Sequence, residues 1–298
     1  MKFSTTILFI LLLFPLAGIA SDIPAFRISI KPIAAADTAV IETIEVELKL
    51  EPFEIPAGEP LLELAYVRFN APSAAGRIEI LAAADAQGAL QLSATDAGKE
   101  ADLRRQWSAD RNTSGKVSVR YRVAVAAPLA AKGAAPPIEL RNDDHAVSAS
   151  GASFVLRPVQ GEYQFAVSWD LSALPDGSTA VSSLGYGPQK PLPVATLDSV
   201  YFMAGQLGHY PENPDESNFF SAWQGQPPFD AAALMSTATR LREDFIAFFN
   251  SQRSGYGIMM RPNLVNPGGG IGLHNSFVVT FDQATDVADL EFTLSHEM

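Results

Sequence analysis

Cysteine is absent from the 298-residue sequence. Its absence excludes disulfides, thiolate catalysis, thiolate zinc sites and a lipid-modified amino-terminal cysteine, so any bound metal must use His, Asp or Glu. Basic residues are few, because 21 Lys and Arg stand against 33 Asp and Glu, a formal net charge of -12. Such a chain repels phosphate, and we expect no nucleic-acid partner. The hydrophobic share of 47% excludes a disordered or collagen-like chain.

Long apolar runs are absent except near the amino terminus, where Lys2 precedes an apolar run over residues 7–17 and small residues precede Ser21. A membrane-spanning helix needs about 20 apolar residues. This run is shorter and contains Pro15, which favours a cleaved signal peptide, residues 1–20, over a membrane anchor. We therefore expect export to the periplasm or exterior, with no membrane span after cleavage. The sequence does not indicate an oligomeric state.

Short strands dominate the next part of the chain. Apolar and polar residues alternate at 26–31 and again at 44–50, a period of two that is typical of a strand with one solvated face. Similar runs recur up to residue 171, separated by segments rich in Gly, Pro, Asp, Asn and Ser. This pattern predicts an antiparallel β-sandwich over residues 21–195 and a mainly β protein. The Ala- and Pro-rich stretch 126–137 is predicted to be a surface connection.

The periodicity changes after residue 195. Asp230 is a predicted N-cap of an amphipathic helix that ends near Asn250, and its aromatic residues Phe245, Phe248 and Phe249 are predicted to lie in the core. Strands are predicted at 256–260 and 277–281, and a last helix from residue 286 to the end. Residues 196–298 therefore read as the beginning of a second, α+β domain.

The most informative motif is the last segment, Leu294-Ser295-His296-Glu297-Met298. In helical zinc hydrolase motifs, two His one turn apart bind the metal, and the Glu after the first His is the general base beside the metal-bound water. His296 and Glu297 match the first two positions, and the second His would fall two positions beyond Met298. Taken alone, such a His-Glu pair usually indicates only a solvated helix end.

The context of this motif carries a family resemblance. A glycine-rich segment, residues 266–276, precedes a predicted strand and then the helix with His296, the order found in thermolysin-like zinc peptidases. Together with Met259-Met260-Arg261-Pro262-Asn263, these segments resemble the amino-terminal half of peptidase family M61, the glycyl aminopeptidase-like family. The resemblance implies a β-sandwich followed by a thermolysin-like α+β catalytic domain, zinc as cofactor, and a peptide or protein substrate. It also implies that His296 is the first zinc ligand and Glu297 the general base.

The same resemblance suggests substrate-binding positions. Gly269, Gly270 and Ser276 match the ends of the family's Gly-Gly-Leu-Glu-His-x-x-Ser segment, whose Glu can hold a free amino terminus. Gly272 stands in the place of that Glu, which argues against strict aminopeptidase specificity. His274, beside the glycine loop, is a further candidate for substrate contact, although a loop His often only hydrogen-bonds the backbone.

Two functional hypotheses follow. The leading one is the amino-terminal part of an exported zinc metallopeptidase of the M61 type, which hydrolyses peptide bonds with a zinc-activated water in the complete protein. The 298-residue chain alone is then expected to be an inactive fragment, because one His supplies fewer ligands than the three typical of catalytic zinc. The alternative is a secreted β-sandwich module that binds peptides or proteins without catalysis.

Overall fold

The structure is a computed structural model that describes residues 23–51, 54–125, 137–143, 145–187, 190–214, 217–252 and 254–298. The predicted signal peptide, residues 1–20, lies outside these ranges. All but the last residue of the predicted surface connection, 126–137, also lies outside them. Both therefore stay predictions.

Strands predominate in the described residues. They are β1 (Ala25–Ala34), β2 (Ile41–Leu50), β3 (Pro60–Ala65), β4 (Val67–Arg68), β5 (Ala71–Pro72), β6 (Ile78–Asp85), β7 (Gly88–Ala89), β8 (Leu92–Ala97), β9 (Arg104–Ala109), β10 (Val117–Ala124), β11 (Arg141–Asp143), β12 (Ala146–Ser150), β13 (Arg157–Pro158), β14 (Gln164–Trp169), β15 (Thr179–Ser182), β16 (Leu192–Pro193), β17 (Tyr201–Gly205), β18 (Gly208–Tyr210), β19 (Phe219–Trp223), β20 (Tyr256–Pro262), β21 (Gly270–Leu273) and β22 (Ser276–Phe281). The α-helices are α1 (Gly151–Phe154), α2 (Ala231–Phe249) and α3 (Val287–Glu297), and short 3-10 helices lie at Ala75–Arg77, Glu100–Asp102 and Val194–Ser199.

The strands form four main sheets and one small ribbon in the described part of the chain. The largest has the order β16-β14-β1-β2-β10-β6-β7, and two four-stranded sheets have the orders β13-β3-β9-β8 and β11-β12-β17-β15. Their pairings are antiparallel except for the parallel pair β1 and β14. The predicted fold class is confirmed: the protein is mainly β, with antiparallel sheets followed by a mixed α and β region.

Alternation of residue type explains the core of the first region. In β1, Phe26, Ile28 and Ile30 are buried whereas Arg27 between them is exposed. The antiparallel register sets Ile28 opposite Leu48 of β2, so the apolar side chains of both strands lie on one face. Burial of this shared face removes apolar surface from water, which is the main stabilising term of such a sheet.

The second region is a five-stranded sheet in the order β18-β19-β20-β22-β21, parallel from β19 through β20 to β22 and antiparallel at both edges. One face packs against α2 and α3, whose Leu234 and Leu290 lie in the same apolar cluster as Ile258. The opposite face carries Met259, which packs against Tyr201 of the β11-β12-β17-β15 sheet. The five-stranded sheet is therefore a layer between the helices and the first region.

The end of the first region is not marked by a break in strand pairing. β17, which follows the predicted boundary at residue 195, pairs with both β12 and β15. Leu197 and Val200 belong to the same apolar cluster as β1 and β2. The boundary between residues 195 and 196 stays a prediction.

Local sequence signals place α2 correctly, but its burial differs from the prediction. Asp230 accepts a hydrogen bond from the Ala233 N–H at 2.9 Å, and Asn250 ends the helix in a left-handed conformation with φ 49°. The prediction that Phe248 and Phe249 lie in the core is wrong, since Phe248 is 82% exposed and Phe249 67% exposed, and Phe245 is half-buried. All the buried residues of α2 lie in its first half, and Phe248 and Phe249 lie in its last turn, beyond the part of the helix that packs in the core. No helix in the described ranges is long and apolar enough to cross a membrane.

Candidate active site at the end of the last helix

Helix α3 carries both residues of the His-Glu motif in its last turn. Asp286 caps the helix by accepting a hydrogen bond from the Ala288 N–H at 2.9 Å. Leu290 and Leu294 are buried against α2 and the five-stranded sheet, which fixes the orientation of the helix. His296 and Glu297 follow the buried Leu294, and both are exposed. The motif is therefore presented to solvent on an anchored helix.

The end of α3 is tied to the neighbouring sheet. The Tyr256 hydroxyl, at the start of β20, donates a hydrogen bond to the Glu297 carbonyl oxygen at 3.2 Å. The guanidinium carbon of Arg242, on α2, lies 4.7 Å from the centre of the Tyr256 ring. Burial raises the pKa of Tyr256, so the phenol remains a hydrogen-bond donor at neutral pH. Neither residue belongs to a motif, so neither could be predicted from the sequence as a neighbour of the site.

Strand β21 forms the edge of the five-stranded sheet beside this helix end. It pairs with β22 on one side, and no described strand pairs with its other side. Ile271 and Leu273 pack toward the first region. Since side chains alternate along a strand, Gly270 and Gly272 face the helices, and both are exposed. The face of the edge strand toward α3 therefore carries no side chains at these two positions.

The structure brings Glu297 and Gly272 together. A β-carbon at position 272 would lie 3.7 Å from the Glu297 Oε2 atom, within ordinary van der Waals contact. The carboxylate predicted to be the general base thus lies over a glycine predicted to bind substrate, and the predicted glycine loop contains a strand, β21. The exposed backbone at Gly272, at the sheet edge beside this carboxylate, is suited to an extended peptide whose carbonyl group approaches Glu297.

The other predicted substrate residues make local contacts in the β21–β22 hairpin. The His274 N–H donates to the Ser199 carbonyl at 3.1 Å, and its Nε2 atom lies 3.4 Å from Asn275 Nδ2. Ser276 is buried, and its hydroxyl donates to the His274 carbonyl at 3.1 Å. The Gly269 carbonyl accepts from the Thr280 N–H at 2.8 Å. In these contacts, His274, Ser276 and Gly269 shape the hairpin, and their substrate role stays a prediction.

The described residues do not complete a zinc site. Among them, no group of three or more His, Asp or Glu side chains is placed to hold a metal ion. Catalytic zinc typically uses three protein ligands, and His296 supplies one imidazole. Among the described side chains, His296 fits the first zinc ligand of the motif and Glu297 fits the adjacent general base.

Alanine substitutions at Gly270 and Gly272 are expected to change the free energy of unfolding differently. We expect Gly272→Ala to leave the free energy of unfolding unchanged or to raise it by up to about 1 kcal/mol, because alanine loses less backbone entropy than glycine. Gly270→Ala is expected to lower it by about 1–3 kcal/mol through overpacking. A β-carbon at position 270 would overlap the Phe277 ring and lie 2.7 Å from the Val278 carbonyl oxygen. Urea unfolding of both variants checks this, and equal losses would contradict the described packing.

Comparison with known proteins supports the fold. No protein-family model matches the chain, and no curated protein is significantly similar in sequence. Among solved structures, an aminopeptidase N family protein from Idiomarina loihiensis matches with a TM-score of 0.57 and 14% identity, over 86% of this chain and 42% of that protein.

Two further structures are similar. An M1 zinc metallopeptidase from Deinococcus radiodurans, a mutant bound to a Tyr-Ser-Ala substrate, matches with a TM-score of 0.52 and 12% identity, over 93% of this chain and 64% of that one. Native yeast LTA4 hydrolase matches with a TM-score of 0.52 and 12% identity, over 92% of this chain and 43% of that one. The chain shares the fold of these proteins and spans less than two thirds of the length of each.

Proposed function

We propose that the chain is the amino-terminal part of an exported zinc metallopeptidase of the M61 type, in which β21 binds a peptide and Glu297 is the general base. The observation that carries the proposal is the position of the Glu297 carboxylate over Gly272 of β21, an edge strand whose outer side pairs with no described strand. The fold shared with M1 zinc metallopeptidases supports the proposal.

Strand β21 would bind the substrate backbone. Its outer edge offers N–H and C=O groups that no described strand uses, and an extended peptide can satisfy them by adding one strand to the sheet. The missing side chain at Gly272 lets that peptide lie close to the helix face of the sheet. A peptide in this position has its carbonyl groups within reach of Glu297.

Glu297 would take a proton from the attacking water. A carboxylate can accept this proton while the water oxygen attacks the peptide carbonyl. Zinc, when bound, supplies Lewis-acid polarisation of the carbonyl. His296 would be one of its ligands, and the remaining ligands would belong to the complete protein.

Gly272 would determine how the amino terminus of a substrate is treated. A carboxylate at this position could pair with a free ammonium group, and glycine offers no such partner. A side chain here would also approach the Glu297 carboxylate. The proposed substrates are therefore peptides whose recognition does not depend on a free amino terminus.

The experiment that tests this function uses the gene beyond codon 298. We expect a His two positions after Met298, an acidic ligand downstream, and chelator-sensitive hydrolysis of quenched peptides by the purified complete protein. Free and amino-acetylated peptides should be cleaved at similar rates. The 298-residue chain is the control and should hold no stoichiometric zinc after dialysis. Peptide binding without turnover by the complete protein would instead establish the secreted binding module.

A further inference from the structure

We propose that β8 is the strand through which the chain dimerises, so that two copies join their β13-β3-β9-β8 sheets into one continuous antiparallel sheet. This association is independent of the proposed peptidase function. Three properties of β8 support it: its length as an edge strand, its free backbone groups, and the complementarity of its sequence to itself.

Strand β8 is the longest end strand of the described sheets. It has six residues, whereas the other end strands have two to four. Natural proteins usually protect a long edge with Pro, Lys or a β-bulge. β8 contains neither Pro nor Lys, its pairing with β9 has no register shift, and its four central residues are exposed. The longer β6 is also free beyond its short pairing with β7, but it carries Glu79 and a register shift opposite Arg120 and Tyr121.

The hydrogen-bond pattern identifies the free backbone groups of β8. The Asp110 N–H donates to the Gln91 carbonyl at 3.0 Å, so these two residues form a hydrogen-bonded pair just before β8. Hydrogen-bonded and non-hydrogen-bonded pairs alternate along an antiparallel ladder. The N–H and C=O groups of Leu92, Ala94 and Asp96 therefore point away from β9, where no described strand pairs with them. One more antiparallel strand can satisfy these groups.

The sequence of β8 is complementary to a second copy of itself. With a two-fold axis at Ala94, this small residue lies opposite Ala94 of the second copy, and the two backbones can approach closely. Ser93 then lies opposite Thr95 of the second copy, where the two hydroxyl groups can hydrogen-bond. Asp96 lies opposite Leu92, so the two carboxylates do not face each other. A second copy therefore pairs every outward backbone group without bringing like charges together.

The first arm of the test is disulfide trapping, which the absence of cysteine from the chain makes specific. We expect Ala94→Cys to form a covalent dimer in air, because hydrogen-bonded partners across the axis have Cα atoms about 5.5 Å apart, within the range of a disulfide. The matched control is Ala82→Cys, at an exposed alanine of β6 outside the proposed pairing. Absence of the Ala94→Cys dimer, or equal trapping of the two variants, would overturn the proposal.

The second arm measures association of the cysteine-free chain by sedimentation velocity at increasing concentration. One strand pair is smaller than a standard interface of about 1,600 Å², so we expect a reversible dimer with a Kd above about 1 µM. Ala94→Pro should raise this Kd at least about tenfold and leave the chain folded, because proline is tolerated where an edge N–H points outward. Circular dichroism checks the fold of this variant.

Ala94→Asp provides a second way to weaken the dimer. It places two carboxylates opposite each other at the axis, and like charges directly opposite are destabilising. Because Ala94 is exposed, the fold of the single chain should not change. A wild-type chain that stays monomeric at about 500 µM, or an unchanged Kd in both folded variants, would contradict dimerisation through β8.

Discussion

The complete protein carrying Glu297→Gln is expected to hydrolyse peptides about 10²- to 10⁴-fold more slowly than the wild type. Gln keeps the size of the side chain and cannot accept the proton of the attacking water. Because His296 is untouched, the zinc content should not change. The measurement is kcat on a quenched peptide together with metal analysis of the same preparation, so that loss of the base is separated from loss of the metal.

Two further variants on the same helix provide comparisons for this result. Glu291→Gln removes an exposed carboxylate from α3 outside the His-Glu motif and should leave kcat unchanged. His296→Ala should lower both zinc content and turnover, because a ligand is lost. Wild-type turnover in Glu297→Gln would refute a general-base role for this carboxylate, whatever the metal content.

Glu139→Gln is expected to lower the free energy of unfolding by about 3–5 kcal/mol, because it leaves a buried charge without its partner. The charge is that of Arg261, which is fully buried on the face of β20 toward the first region. Its Nη2 atom lies 2.6 Å from Glu139 Oε1, and its Nη1 atom donates to the Glu139 carbonyl at 2.9 Å. Burial acts against the charged guanidinium, but Tyr201 and Glu139 hold the pKa of Arg261 above its usual range.

Removing the cation instead of the anion should be less harmful. In Arg261→Met an unbranched apolar side chain replaces the buried charge, and Glu139 remains partly solvated and 3.4 Å from Arg141. We expect this variant to lose about 1–2 kcal/mol, and the double variant with Glu139→Gln to resemble it. Urea unfolding of the three variants gives the coupling energy. A larger loss in Arg261→Met than in Glu139→Gln would refute this account of the pair.

The burial of Arg261 could not be predicted from the sequence. The strand predicted at 256–260 stops just before this residue, and the structure extends that strand, β20, to Pro262. Nothing in its neighbours indicated that an arginine in this strand is fully buried. Its partner Glu139 lies in a distant part of the chain, and the two meet only because the five-stranded sheet packs on the β11-β12-β17-β15 sheet. Burial of a charge depends on such packing, which no local pattern encodes.

The two long helices also show that local sequence determines where an element starts, whereas packing determines which of its residues are buried. The caps Asp230 and Asp286 act within one helical turn, so the sequence was sufficient to place both helix starts. The apolar period of α2 was also real, but a period states which side chains share a face and not whether another element covers that face. For Phe248 and Phe249 the described chain provides no cover, and the prediction of a core position failed.

By itself, the sequence determined the mainly β class, the start of each long helix and the residue types of the His-Glu motif. These features depend on alternation, capping and short motifs, which are interactions between residues near one another in the chain. Only the tertiary structure decided that Glu297 lies over Gly272 and that the Tyr256 hydroxyl donates to the Glu297 carbonyl. Those contacts arise because β20, β22 and β21 are neighbours in one sheet and α3 packs across it, so segments distant in sequence share a single site.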